Sequence, residues 1–257
     1  MAIACPDRLL RTLANPCADG AYAAAWALDC KNGGEPLVNV LKCPTMLPSR
    51  RPQENELFLW FGAPGNGGWE EFLAYLPVSE QKQIARLRRP TDRWGVAAAR
   101  ACARWLLAAA LDCSPSDVGL VRGAHGKPSL DPACHGNDAR HIHFNISHTR
   151  GLVAVAIAGR PVGLDVEAVS KMDDMQAVAE MAFPAESLLA LSRAAHKSDR
   201  GALFFRFWTL GEAFIKATGE GLAQGLKTFA FSAAGTPCLV RTSEKWGPPH
   251  RWRFGAL

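Results

Sequence analysis

Asp165 and Glu167 stand two residues apart in the run Gly163-Leu164-Asp165-Val166-Glu167. On a strand both carboxylates project from one face, while Leu164 and Val166 project from the other into a core. Two neighbouring carboxylates repel unless a cation lies between them, and hard dications such as Mg²⁺ or Mn²⁺ take oxygen ligands of this kind. The same pair also suits a solvated strand end. A second charged pair lies in Trp208-Thr209-Leu210-Gly211-Glu212-Ala213-Phe214-Ile215-Lys216. Glu212 and Lys216 are four apart, so a helix puts them on one side. Such pairs also decorate helix surfaces, and Thr209-x-x-Glu212 has the form of a capping box. The apolar run Phe204-Phe205-Arg206-Phe207-Trp208 argues instead that the helix begins earlier.

Ser147 and His148 follow the alternating run His141-Ile142-His143-Phe144-Asn145-Ile146. They are not nucleophile and base to each other, because neighbours on a strand face opposite ways. No Gly-x-Ser-x-Gly elbow is present either. A hydroxyl, an imidazole and nearby backbone N–H groups suit an anion better. His141 and His143 share one strand face, as a metal pair or as partly buried structural histidines. Gly126-Lys127-Pro128 offers one ammonium on a backbone stiffened by proline, a counter-charge for phosphate.

Several elements must position these groups. Leu57–Phe61 reads as a buried strand. A helix is expected from Ser79, its N-cap, to a stop at Pro90, and a longer one over Asp92–Leu111. Strands are expected over His141–Ser147, Leu152–Ala158 and Pro161–Glu167, the last two joined as a hairpin through Gly159–Pro161. Helical patterns follow over Met172–Met181, Glu186–Ala195 and Leu203–Thr218, with Gly219 as the stop. Residues 227–254 hold three short strand candidates. Residues 1–54, rich in Pro, Gly, Asn and Arg, read as an N-terminal extension and linker with one helix near Tyr22–Leu28.

The whole is 257 residues, between one and two domains by length. With 48% hydrophobic and 21% charged residues it has the balance of a globular enzyme, and disorder of the whole chain is excluded. A net charge of +5 suits an acidic partner or a phosphorylated ligand. No basic block is interleaved with aromatics, so nucleic acid is not an expected partner. The longest alanine-rich run, Val96–Leu111, is interrupted by Arg100 and Arg104, so no membrane span is expected. The N-terminus lacks an apolar signal region, which points to the cytoplasm and to reduced cysteines. Cys5, Cys17, Cys30 and Cys43 form no Cys-x-x-Cys pair, so the residues offer a zinc site little support.

In their order and spacing the four motifs closely resemble the 4′-phosphopantetheinyl transferases of the surfactin-synthetase type. They are Gly126-Lys127-Pro128, Phe144–Thr149, Gly163–Glu167 and Trp208–Leu222, and the resemblance runs from about Leu76 to Leu226. It implies an α+β fold of two similar α/β halves related by a pseudo-two-fold axis, here 55–160 and 161–257. Coenzyme A would bind between them, with Mg²⁺ bridging its pyrophosphate to acidic side chains. A serine of an acidic acyl or peptidyl carrier protein would take the phosphopantetheine, releasing 3′,5′-ADP. Asp165, Glu167 and Glu212 match the metal-binding carboxylates, their oxygens converging on one point with Lys216 close by. Glu212 also matches the general base, and Lys216 the lysine on the phosphates. Lys127, Pro128, Ser147 and His148 match groups around the 3′-phosphate and ribose, and Lys82, Arg86 and Arg93 basic residues near the adenosine. Met181 and Phe183 are candidates for an apolar patch receiving the carrier's helix. The implied state is a monomer.

The chain departs from the family pattern twice. Gly211 stands where Trp-Thr-x-Lys-Glu-Ala carries lysine, and the sequence ends soon after Trp252-Arg253-Phe254. The C-terminal half is therefore expected either to lack a final strand or to borrow one from the N-terminal extension. Gly211 also supports a second reading, a weakened or non-catalytic relative that binds coenzyme A or the carrier. A metal-dependent phosphohydrolase would use the same acids but has no motif of its own here.

Overall fold

A computed structural model of the chain describes residues 13–14, 22–31, 34–41, 50–64, 68–170 and 172–256. Cys5, Cys17 and Cys43 lie outside these residues; Cys30, Cys102, Cys113, Cys134 and Cys238 are free thiols. In chain order the first strands are β1 (Leu13–Ala14), β2 (Tyr22–Asp29), β3 (Leu37–Leu41) and β4 (Glu56–Pro64). Helices α1 (Val78–Ala85) and α2 (Pro90–Leu111) follow. Then come the hairpin β5 (Leu120–Arg122) and β6 (Pro128–Leu130), and the strands β7 (His143–Thr149), β8 (Leu152–Ala158) and β9 (Val162–Ala168). Helices α3 (Met175–Ala182), α4 (Ala185–Arg193) and α5 (Lys197–Thr218) precede β10 (Ala230–Phe231), β11 (Leu239–Arg241) and β12 (Trp252–Ala256).

Two sheets form the body. One runs β1-β4-β8-β7, with β3 parallel to β4; the other runs β12-β2-β9 and is antiparallel throughout. Alternation along each strand builds four layers. Phe58, Trp60, Val155 and Ile157 of the first sheet pack against α2. The opposite face, with Leu57, Leu59, Ala154 and Ala156, packs against Ala24, Trp26, Leu164 and Val166 of the second sheet. The outer face of the second sheet, with Ala25 and Ala27, receives α5. Each half thus has one long helix on one sheet, and the two sheets meet back to back. Burying an aliphatic or aromatic side chain in such cores contributes about 1.5–3 kcal/mol.

Tyr22–Asp29 is a strand rather than the expected helix. Alanine favours helix in isolation, but alternate residues here fill two different cores, which only a two-residue period allows. The strand sits between β12 and β9, so the N-terminal segment supplies the middle of the C-terminal half's sheet. β8 and β9 are not a hairpin: β8 pairs with β4 and β7, and β9 with β2. Both strands have two covered faces, so each belongs to its own sheet. Gly159 turns the chain between them, and a Cβ there would lie 2.2 Å from the Gln53 carbonyl oxygen. The first helix ends at Ala85, with Pro77 rather than Ser79 at its N-cap position. Pro90 opens α2 instead of ending α1, as proline suits a first helical turn.

Candidate active site

The glycine of the Gly163–Glu167 run decides where the site forms. Gly163, Asp165 and Glu167 share the face of β9 that meets α5. A Cβ at Gly163 would lie 1.9 Å from the Ala213 carbonyl oxygen and 2.5 Å from Ala217 N. Helix and strand therefore touch backbone to backbone, and the neighbours of Ala213 and Ala217, Glu212 and Lys216, come level with Asp165. The helix ends at Gly219, whose φ of 77° is the left-handed region and whose N–H bonds Ile215 O.

Lys216 Nζ donates to Asp165 Oδ1 at 2.6 Å and to Ser147 Oγ at 3.1 Å. Ser147 Oγ donates to Asp165 Oδ1 at 3.1 Å and accepts the Val166 N–H at 3.2 Å. One donor and two acceptor positions saturate this hydroxyl. Asp165 is 3% exposed, and its Oδ2 is buried without a hydrogen-bond partner. Burial, and then the charge of Asp165, hold Glu167 above the usual carboxylate range, opposed by Lys216 and a Trp208 hydrogen bond. Burial also pushes Glu212 up, with Asp165 adding to it against Lys216. Three carboxylates thus share one lysine as counter-charge.

Such a donor set, with one buried oxygen unbonded, fits a hard dication held by Asp165, Glu167 and Glu212. As the side chains stand, no group of three His, Cys, Asp or Glu among the described residues is arranged to hold a metal ion. The carboxylates share a neighbourhood rather than the single point expected from the resemblance.

Lys127 reaches the same place from the other half, in the turn between β5 and β6. Its Nζ donates to Val162 O at 3.0 Å and to Lys216 O at 2.5 Å. Burial, with Lys216 nearby, lowers its pKa to about 8. A cleft of about 270 Å³ opens here, lined by His125, Lys127, Pro128, Asn145, Glu212 and Lys216 among others. His148 is exposed on the other face of β7, its ring against Gly95 of α2. Lys82 is exposed on α1 and Arg86 is exposed at its C-cap. Arg93 bonds Leu87 O at 2.7 Å and lies over the Trp69 ring. No described contact joins these three cations to the acids. His141 ends a one-turn helix instead of sharing a strand with His143, and burial lowers the His143 pKa to about 4. Phe183 is 2% exposed and packs against Phe204, Phe207 and Trp208, so it is core and offers no docking surface; Met181 is 73% exposed.

Sequence reasoning missed Asn145, which is buried, lines the cleft and accepts the Leu164 N–H at 2.9 Å. It also missed Trp208 as a partner of Glu167 and Gly163 as the seat of α5. The signal for Gly163 was available, since a glycine inside a strand often marks a close backbone approach. Gly211 is the second glycine that matters. It is buried, and a Cβ there would lie 2.3 Å from Leu226 Cδ2, so the position faces the aromatic core and not the acids.

Comparison with known proteins matches residues 60–160 to the family model described as 4′-phosphopantetheinyl transferase, N-terminal. Residues 161–255 match the 4′-phosphopantetheinyl transferase superfamily. The two matches abut where β8 passes to β9. A protein of Synechocystis sp. named for this activity is 31% identical over 157 residues, 60% of this chain and 61% of its own length. The 4′-phosphopantetheinyl transferase gsp of Aneurinibacillus migulanus is 30% identical over 173 residues, 66% of this chain and 68% of that one. The 4′-phosphopantetheinyl transferase HetI of Nostoc sp. is 29% identical over 180 residues, 69% and 73% respectively. With both halves matched and the acid–lysine cluster on the joint between strand β9 and helix α5, the chain belongs to the 4′-phosphopantetheinyl transferases.

Proposed function

We propose that the chain transfers 4′-phosphopantetheine from coenzyme A to a serine of an apo acyl or peptidyl carrier protein, dependent on Mg²⁺ and releasing 3′,5′-ADP. The observation that carries the reading is the buried Asp165, paired on one oxygen with Lys216 and unbonded on the other, beside Glu167 and Glu212. Bound at those carboxylates, the dication would supply charge neutralisation on the pyrophosphate.

The chain's own groups do the rest. Glu212 accepts the proton of the attacking serine hydroxyl, and its raised pKa makes it a stronger base than an ordinary carboxylate. The serine oxygen bonds to the β-phosphorus as the bond to the ADP oxygen breaks, so no redox partner is needed. Lys216 and Lys127, both lining the cleft, hold phosphate oxygens and neutralise charge as it shifts to the leaving group. Ser147 orients Asp165 and Lys216 through the hydrogen bonds described above. The net charge of +5 favours encounter with an acidic carrier. Among the described residues no helix is long and apolar enough to cross a membrane.

The test is the mass of several apo-carrier proteins after incubation with coenzyme A, with Mg²⁺ or with EDTA. The mass gain of one phosphopantetheine, absent under EDTA, supports the reading. Binding of coenzyme A or carrier with no mass gain on any carrier overturns it in favour of a non-catalytic relative.

A further inference from the structure

Strand β9 has two edges. One pairs with β2 from Tyr22 to Leu28. The other presents the N–H groups of Leu164, Val166 and Ala168, and no described strand pairs with it. Three side chains of β7 take those donors instead. Asn145 Oδ1 accepts from Leu164 N at 2.9 Å, Ser147 Oγ from Val166 N at 3.2 Å, and Thr149 Oγ1 from Ala168 N at 3.3 Å. The sequence separation is 19 in each case. The match is geometric: side chains on one face of β7 recur every second residue, as do the N–H groups on one edge of β9.

We propose that Asn145 and Thr149 are positioning residues for the transfer reaction, acting through Asp165 and Glu167. The three rungs enclose these two acids, which are the residues at 165 and 167 between bonded N–H groups at 164, 166 and 168. A slip of β9 by one residue turns both carboxylates to the opposite face, into the core between the sheets. Pairing with β2 opposes that slip from one side. The rungs oppose it from the other and, through Val166 N and Ala168 N, fix the peptide plane that follows each acid. Asn145 and Ser147 are 4% and 5% exposed, so water does not replace them. The joint also crosses the boundary between the halves, so β7 of the N-terminal half sets the aim of the acids of the C-terminal half. The inference rests on the proposed role of the acids as metal ligands.

Thr149→Val keeps shape and removes the acceptor; Thr149→Ser keeps the acceptor. At the other rung Asn145→Ala removes the acceptor, and amide exchange at Leu164 reads its loss without a new charge. The first readout is amide hydrogen exchange at Leu164, Val166 and Ala168. The second is Mn²⁺ affinity by calorimetry on the full chain, with turnover against Mg²⁺ concentration as a third. The expected result is faster exchange at these amides in Thr149→Val and Asn145→Ala, with Mn²⁺ affinity weakened about three- to tenfold. Turnover should fall through a higher Mg²⁺ requirement, and Thr149→Ser should recover most of each loss. Unchanged exchange at the three amides overturns the proposal. So does a lowered melting temperature with unchanged Mn²⁺ affinity, which is a merely structural role. Failure of the unmodified chain to bind Mn²⁺ instead defeats the metal reading, and the exchange data still decide the rungs.

Discussion

Lys216 Nζ stands 2.6 Å from Asp165 Oδ1, a lysine of α5 seated on the more buried of two neighbouring strand carboxylates. Their side chains are 28% and 5% exposed, so the pair is partly withdrawn from water. In this arrangement the lysine is the internal counter-charge of the acidic cluster.

Lys216→Met should therefore act on folding and on turnover separately. On its proposed role it removes a cation from the phosphates, for which a loss of about 10²–10³ in kcat is the ordinary scale. It also leaves Asp165 buried without its partner, at a cost of about 3 kcal/mol to the metal-free protein. Melting curves with and without Mg²⁺ check the second point. The variant should gain more from Mg²⁺ than the unmodified chain, because the dication meets carboxylates that no lysine neutralises. Equal gains would show that the lysine and the metal do not compete for the same charge.

Gly211→Lys restores the residue of the family pattern and should not restore anything else. The position faces Leu226 and Phe229, not the carboxylates. The end of the Leu226 side chain can shift for one methyl group, so Gly211→Ala should be close to neutral, with better helix propensity offsetting the contact. The lysine stem has to push through the aromatic layer, a destabilisation of about 1–3 kcal/mol. Urea unfolding of the two variants checks the order. A faster transfer by the lysine variant would overturn this placement of the side chain.

The acids and lysine were legible before any fold was known because their spacing is local. Two residues on a strand or four on a helix decide the face without reference to the rest of the chain. Tyr22–Asp29 was not legible, because its alanines are explained only by two cores whose other walls come from elsewhere in the chain, Leu57, Leu59 and β8 in one and helix α5 in the other. The β8–β9 hairpin failed for a related reason: a short Gly–Pro turn looks the same whether the chain pairs back or crosses to another sheet. The rungs of Asn145 and Thr149 end on backbone N–H groups, and no residue type records such a partner. Gly211 read as a lost charge because the motif names a type of residue, whereas the packing of Leu226 fixes which way that residue would face.

With Lys127 in its proposed place on a phosphate, coenzyme A binding should have a pH limit. Burial, and then Lys216, lower its pKa to about 8. The ammonium is present below that value and lost above it, and only the charged form pairs with phosphate. Affinity should be flat up to about pH 7.5 and then fall by up to roughly tenfold per pH unit. Binding near pH 8 should take up a proton, because a bound anion raises the lysine pKa again. Lys127→Arg should hold its affinity to higher pH. Calorimetric titration of both proteins from pH 7 to about 9.5 decides it, and identical profiles would remove Lys127 from the phosphate site.

Glu167 and Glu212 couple pH and stability in the opposite sense to an ordinary paired carboxylate, and on their proposed role they couple both to the metal. Their pKa values are raised in the folded chain, by burial first in both cases. The stability this confers is fully present below the unfolded carboxylate range and is lost as pH rises through the raised values. The metal-free protein should therefore become less stable over that window. Glu212→Gln should flatten the trend and raise the melting temperature at neutral pH while abolishing transfer. Divalent binding needs both groups ionised, so it should strengthen over the same window and release protons. Mn²⁺ titrations in buffers of different ionisation enthalpy count those protons. Release of none near the lower end of the window would mean that the metal does not sit on these two carboxylates.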